Sequence, residues 1–248
     1  MVLFGLIGFP LGHSWSAAWF TEKFRKESGS DKSYHLFPLR DISEFPDLLQ
    51  SHPGLTGLNV TIPYKEKIIP YLDELDNTAR SVGAVNTIRI IRNNGRILTK
   101  GFNTDAPGFL ETITNLIPGC PALILGTGGA AKAVAYVLEE KNLDFTFVSR
   151  GKHGRRIISY QDLSPEIISH NRLIINATPI GMYPHTANFP PIPYHLLSSG
   201  HYLYDLIYNP PETQFIKRGK VMKAQTMNGM QMFINQAELS YKIFLDVD

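Results

Sequence analysis

Hydrophobic positions along the chain switch between two spacings. Residues 2–7 form a short unbroken apolar run that predicts a buried strand, whereas Trp19, Phe20 and Phe24 recur at helical spacing within residues 15–27 and share one face. Residues 33–39 predict a second strand, 42–51 a helix and 57–60 a third strand. Two helical stretches, 65–72 and 76–82, come next. The β-rich segments 86–91 and 96–102 then flank Asn93-Asn94-Gly95, a hairpin signal because Asn and Gly tolerate positive φ.

A second series begins after Thr104. A helix-like stretch to residue 116 leads through a loop (117–121) into the compact apolar strand 122–125, a glycine-rich turn and a helix through residue 140. Residues 145–148, 173–175 and 202–206 supply further short buried strands. In residues 229–245, Met230, Phe233, Ile234, Ala237 and Tyr241 recur at helical spacing. Strands alternating with helices predict an α/β fold with mostly parallel, helix-covered sheets.

Composition narrows the function classes. A length of 248 residues allows one large or two modest domains, and 43% apolar residues can supply their cores. The formal net charge of +2 is too small for a nucleic-acid footprint, and the one basic cluster, Lys152, His153, Arg155 and Arg156, is short. A single cysteine, Cys120 between Gly119 and Pro121, cannot form an internal disulfide and reads as a loop residue. No apolar run approaches the roughly 18–20 residues of a membrane span, and residues 2–7 are too short for a signal sequence. The histidines lack metal-ligand spacing. The chain reads as soluble and cytoplasmic, with no metal and no nucleic-acid or membrane partner.

Two sets of residues carry chemistry. Gly126-Thr127-Gly128-Gly129-Ala130-Ala131 follows a strand and opens a helix. In that setting the first glycine makes a tight turn, and the second lets a pyrophosphate approach the backbone. The small third residue allows close helix–strand packing, and the helix N-terminus stabilises the phosphate charge. About 20 residues on, where an NAD site usually places an acid, stand Ser149 and Arg150. A guanidinium there suits the 2′-phosphate of NADP. In the first half, Asn59 and Thr61 lie two apart at a strand end and point to one side, with Lys65 one turn on. Asn86, Thr87, Asn103, Thr104 and Asp105 add amides, hydroxyls and a carboxylate, a set suited to a polyhydroxylated alcohol or ketone. Singly, Lys65 also reads as a surface charge and Asp105 as a helix cap.

These segments, in order, resemble the motifs of the shikimate dehydrogenase family. They are His13-Ser14-Trp15-Ser16, residues 59–65, Gly83-Ala84-Val85-Asn86-Thr87, Asn103-Thr104-Asp105 and residues 126–131. Asn176-Ala177-Thr178-Pro179, residues 204–210 and Gly229-Met230 followed by Gln236 complete the set, which spans nearly the whole chain. The resemblance implies two αβ domains with a cleft between them: an N-terminal substrate domain (1–103 plus 229–248) and a C-terminal Rossmann-like NADP domain (104–228), the last helix returning to the first. It implies NADPH-dependent reduction of 3-dehydroshikimate to shikimate. By motif match Ser14 and Ser16 would bind the substrate carboxylate with Tyr208 close by, and Asn59, Thr61, Asn86 and Gln236 would hold ring hydroxyls. Lys65 and Asp105 would flank the reacting carbon, Lys65 exchanging the proton as negative charge builds on oxygen. Gly126, Thr127, Gly128, Gly129, Ala130, Ser149, Arg150 and Thr178 would contact the dinucleotide, with Leu206 and Gly229 beside the nicotinamide. A homodimer stays open.

Some positions depart from the family pattern. Ala17 stands where proline is usual, Phe20 where histidine is common, and Ala106-Pro107 replaces a glycine after the aspartate. Ser149-Arg150-Gly151 replaces Asn-Arg-Thr or Asn-Arg-Ser, and the helix that should follow is missing, since 152–156 leads almost directly to Ile157-Ile158. Competing readings are a quinate/shikimate dehydrogenase of relaxed cofactor choice, a methylenetetrahydrofolate dehydrogenase type of enzyme, and a non-catalytic dinucleotide sensor. The paired serines and Asn-Thr-Asp speak against the second, and retention of Lys65 with Asp105 against the third.

Overall fold

The computed structural model of the protein describes residues 2–12, 14–27, 31–113, 119–151 and 154–246. The chain divides into two compact units. One holds the chain up to Thr104 together with Ala237–Asp248, and the other is Asp105–Gln236.

The first unit opens with β1 (Val2–Gly8), α1 (Trp15–Lys26), β2 (Lys32–Pro38), α2 (Phe45–Ser51) and β3 (Leu55–Val60). It continues with β4 (Glu74–Leu75), α3 (Asn77–Val82), β5 (Thr87–Asn93) and β6 (Arg96–Phe102). The sheet runs β2-β1-β3-β5-β6-β4; β1 is parallel to both neighbours, and the predicted hairpin is the antiparallel pair β5–β6. One expected helix is divided, and one run of expected helical turns stays short of an α-helix. Residues 42–51 split into a 3-10 turn (Ile42–Glu44) and α2 because Pro46 has no N–H to donate to the Ile42 carbonyl. In 65–72 only the 3-10 turn Ile69–Tyr71 forms, with Pro70 inside it.

Both faces of this sheet are covered. One packs Ile7, Phe45, Leu55, Leu58, Ile68 and Ile88, all buried. The other packs Phe4, Phe20, Phe24 and Tyr34 against Ala237, Tyr241 and Phe244 from the end of the chain. Phe20 stacks on Tyr34 at 4.4 Å between centroids and Phe4 on Phe244 at 5.0 Å, so Phe20 has a core function.

The second unit contains α4 (Asp105–Ile113), β7 (Ala122–Leu125), α5 (Gly129–Glu140), β8 (Phe145–Val148), β9 (Ile157–Ile158), α6 (Pro165–His170) and β10 (Leu173–Asn176). After these come β11 (Tyr202–Asp205), α7 (Gln214–Val221), β12 (Gln225–Met227) and α8 (Met230–Leu245), whose later residues belong to the first unit. Its sheet is parallel throughout in the order β12-β11-β10-β7-β8-β9. The order reverses between β7 and β10, and ligands of doubly wound sheets bind at such a switch point. The missing helix is accounted for at β8–β9. A bridge from Gly154 to Ile157 and bonds from Phe147 N to Arg156 O (2.8 Å) and Ser149 N to Ile158 O (2.9 Å) bring the chain back directly. Thus β9 is only two residues long.

Candidate active site

In the first unit the polar candidates lie where strands end. Thr61 N donates to Ile7 O (2.9 Å), and Tyr64 N donates to Thr61 O (2.9 Å), a turn that presents Lys65. The Lys65 carbonyl accepts from Val85 N (2.7 Å), Val60 N donates to Asn86 O (2.8 Å) and Asn86 N to Phe102 O (3.1 Å). Segments 59–65, 84–87 and 102–104 are thereby stitched side by side, which brings Asn59, Thr61, Lys65 and Asn86 together. Lys65 and Thr61 are half-buried, Asn59 and Asn86 buried. Ser14 caps α1, its Oγ accepting from Ser16 N (3.3 Å), and both serines are half-buried. His13 lies outside the described residues, as do Lys152 and His153.

Beneath these groups runs a buried hydrogen-bond network. Asn59 Oδ1 accepts from Tyr34 Oη (2.8 Å), and its Nδ2 faces Asn86 O, Thr87 Oγ1 and Ser240 Oγ at 3.3, 3.3 and 3.0 Å. Ser240 Oγ also bonds Thr87 Oγ1 (2.7 Å) and Thr104 Oγ1 (3.1 Å). Asn86 Oδ1 accepts from Thr104 N (2.7 Å) while its Nδ2 donates to Thr104 Oγ1 (2.8 Å). The amide of Asn59 is therefore engaged with the protein's own groups. The sequence marks Thr87 and Thr104 as pocket hydroxyls but gives no role to Tyr34 or Ser240. Thr87 and Thr104 sit inside motifs, but Tyr34 and Ser240 lie in apolar runs that read only as core.

In the second unit Asp105 begins α4 and is buried. Tyr208 stacks on Phe233 (4.5 Å), and its phenol is pushed up to about 12, first by burial and then by the negative charge of Asp105. Gln236 packs where α8 crosses α4 at Gly108, and its Nε2 donates to Phe233 O (2.9 Å). Asp105, Tyr208 and Gln236 thus gather on one side of this unit.

The glycine-rich turn sits at the switch point. Gly126 has φ +103°, and a Cβ there would lie 3.0 Å from Thr178 Cγ2, so turn and neighbouring loop both require glycine. A Cβ on Gly128, extended before α5, would meet nothing within 4 Å, and no side chain caps the helix. An open helix N-terminus with room above its glycine fits a pyrophosphate. Thr127, Gly129 and Ala130 line the same turn, and Ala131 is fully buried against the sheet. Ser149 and the exposed Arg150 follow β8; the positive charge of Arg150 opposes the upward push of burial on the Tyr160 phenol. On the far side, a Cβ at Gly229 would collide with the Leu206 carbonyl oxygen, which fixes Leu206 and Gly229 as direct neighbours.

Two further polar residues organise this end. Asn176 Oδ1 accepts from Thr178 N (3.1 Å) and Oγ1 (2.6 Å), and Asn176 Nδ2 donates to Asp205 Oδ1 (3.0 Å). Asp205, fully buried, also accepts from Ile207 N (3.1 Å) and Thr213 Oγ1 (2.5 Å). It orders its strand end, as its position after an apolar run suggests. Burial pushes its carboxyl up to about 6 against these three donors. Cys120 is a buried loop residue. Among the described residues no group of three or more His, Cys, Asp or Glu could hold a metal ion, and no helix is long and apolar enough to cross a membrane.

A parallel sheet of this order, with a glycine-rich turn at its switch point, defines a Rossmann-type α/β protein. A family model described as the shikimate dehydrogenase substrate binding domain matches residues 6–88. The shikimate dehydrogenase (NADP(+)) of Halothermothrix orenii is 36% identical over 98% of this chain and 90% of its own. Among solved structures, shikimate dehydrogenase 1 of Peptoclostridium difficile is 35% identical with a TM-score of 0.86, covering 100% of this chain and 93% of its own. The shikimate 5-dehydrogenase of Thermus thermophilus, in complex with NADP(H) and shikimate, is 31% identical with a TM-score of 0.84, covering 100% and 94%. The chain belongs to the shikimate dehydrogenase family.

Proposed function

We propose that the chain catalyses the reversible NADPH-dependent reduction of 3-dehydroshikimate to shikimate, a step of chorismate and aromatic amino acid biosynthesis, in the cytoplasm. The observation that carries this reading is the 36% identity to a relative of that name across 98% of the chain. The domain roles follow the same reading: the unit that ends at Thr104 binds substrate, and the unit from Asp105 binds the dinucleotide. A homodimer is compatible with it.

The dinucleotide, when bound, supplies or takes up the hydride. Residues 126–130 hold its pyrophosphate, Arg150 and Ser149 its 2′-phosphate end, and Leu206 and Gly229 its nicotinamide end, with Thr178 a further contact to the dinucleotide. Hydride arrival at a ketone places negative charge on oxygen. The Lys65 ammonium stabilises that charge and gives up a proton to the oxygen; in the reverse direction its amine takes the proton back. Asp105 accepts a hydrogen bond from a substrate hydroxyl and orients it for that transfer. Ser14, Ser16 and Tyr208 receive the substrate carboxylate. Thr61, Asn86 and Gln236 bind ring hydroxyls, and Asn59, whose amide faces Tyr34, Asn86, Thr87 and Ser240, keeps them in place.

The test is dinucleotide reduction by purified protein with shikimate or quinate and with NADP+ or NAD+. Turnover of the shikimate and NADP+ pair at least tenfold above the other pairs is expected. Preference for NAD+ or quinate would move the chain to the quinate/shikimate branch, and no turnover with any pair would contradict the enzyme reading.

A further inference from the structure

We propose that Asp205 is a positioning residue for the nicotinamide end of the bound dinucleotide, acting as a clamp between the loops that follow β10 and β11. The proposal rests on the functional reading above and extends it to a residue that touches neither substrate nor cofactor.

Two loops meet at this one carboxylate, the one that follows β10 and the one that follows β11. Through Oδ1 it accepts from Asn176 Nδ2 (3.0 Å), and Asn176 in turn fixes Thr178 by accepting from both its N–H (3.1 Å) and its hydroxyl (2.6 Å). The same Oδ1 accepts from Ile207 N (3.1 Å), which sets the backbone just after Leu206; Ile207 O then accepts from Gly229 N (3.1 Å). Oδ2 accepts from Thr213 Oγ1 (2.5 Å), whose hydroxyl also caps α7 by accepting from Ile216 N (3.3 Å). Leu206 and Gly229 are the residues assigned to the nicotinamide end and Thr178 to the dinucleotide; Thr178 and Gly229 are each tied to Asp205 through two hydrogen bonds, and Leu206 follows it directly in the chain. A surface salt bridge could not do this, because water would compete for every donor. Asp205, Asn176 and Thr213 are all at most 1% exposed, so water does not replace the carboxylate for these donors. A carboxylate accepts from all three partners at once; an amide could keep the two on Oδ1 but would turn an NH2 towards the Thr213 hydroxyl, which then loses its acceptor.

Asp205→Asn keeps the volume but replaces the Oδ2 acceptor of the Thr213 hydroxyl by an NH2 donor. The variant is expected to raise the KM for NADP+ about tenfold and to leave the KM for shikimate within twofold. Binding of 2′-phospho-ADP-ribose, which lacks nicotinamide, should also stay within twofold, as followed by titration calorimetry. Thr213→Val, a milder change that strips only the Oδ2 partner, should move NADP+ in the same direction by about threefold and covers the case in which Asp205→Asn does not fold. Combining Asp205→Asn with Asn176→Ala should cost NADP+ binding little more than either alone, because both cut one chain of bonds. Equal weakening of NADP+ and of the nicotinamide-free fragment, or multiplicative losses in the double variant, would overturn the clamp while leaving the functional reading intact. Wild-type protein that binds neither the fragment nor NADP+ would overturn that reading and the clamp with it.

Discussion

The amide nitrogen of Asn59, at the end of β3, lies 3.0 Å from the hydroxyl of Ser240 on the last helix, 181 residues further along the chain. That hydroxyl also meets Thr87 and Thr104, so a single oxygen on α8 ties together three strand ends of the first unit. Ser240→Ala removes one shared hydrogen-bonding oxygen from this buried network, at about 0.5–1.5 kcal/mol. It should lower the unfolding free energy by that amount and raise the KM for shikimate about three- to tenfold. The KM for NADP+ should not move. An unchanged shikimate KM in a folded variant would show that the network braces the fold without setting the substrate groups.

Asp205 gives a pH signature. Its carboxyl, pushed up to about 6 by burial, titrates near 3.9 in an unfolded chain. The folded state thus holds this proton more tightly, which favours folding below pH 4, and the advantage is lost as pH rises through about 6. About two pKa units correspond to roughly 3 kcal/mol. Other carboxylates, such as Asp73 and Glu27, are lowered by hydrogen bonds and move the other way. The informative quantity is therefore wild-type stability minus that of Asp205→Asn, from urea melts between pH 4 and 7. It should fall with rising pH by that order; a flat difference would contradict the assignment.

Two glycines predict opposite outcomes. Alanine at Gly128 meets nothing within 4 Å, so Gly128→Ala should leave stability within about 0.5 kcal/mol yet raise the KM for NADP+ tenfold or more by occupying space meant for phosphate. Alanine at Gly229 would collide with the backbone oxygen of Leu206 and should cost roughly 2 kcal/mol or more in a thermal melt. The reverse pattern would mean that the turn does not hold the dinucleotide.

On the proposed reading, Arg150 sets the preference for NADP over NAD. A charge-assisted bond to a phosphate contributes about 1.5–3 kcal/mol. Arg150→Ala should therefore weaken NADP+ by about tenfold to a hundredfold and leave NAD+ unchanged. Equal losses for both would point to a general charge effect.

Much of this was legible in the sequence, for identifiable reasons. The Gly126–Ala131 turn announced itself because glycine suits φ +103° beside Thr178, and the Asn93-Asn94-Gly95 hairpin because its turn chemistry is local. The apolar runs gave most strands. A proline hid the true extent of one helix, since the residue types of 42–51 suit a helix but Pro46 lacks the N–H that would join its two parts. The two-residue strands β4 and β9 exist only through pairing with β6 and β8, which no local pattern encodes. Ser240 was opaque for the same reason, since it finds its partners more than 130 residues away; Asp205 read as ordering its strand end, but which groups converge on it did not show.

The central claim is that this chain interconverts shikimate and 3-dehydroshikimate with NADP, using Lys65 to move the proton. The most direct measurement is shikimate-dependent NADPH formation by wild type and Lys65→Ala, with shikimate binding measured alongside by calorimetry. The account predicts rapid NADPH formation by wild type, a drop in kcat of at least about a hundredfold in the variant, and shikimate affinity within about fivefold. A variant that keeps its kcat, or a wild type that forms no NADPH, would contradict it.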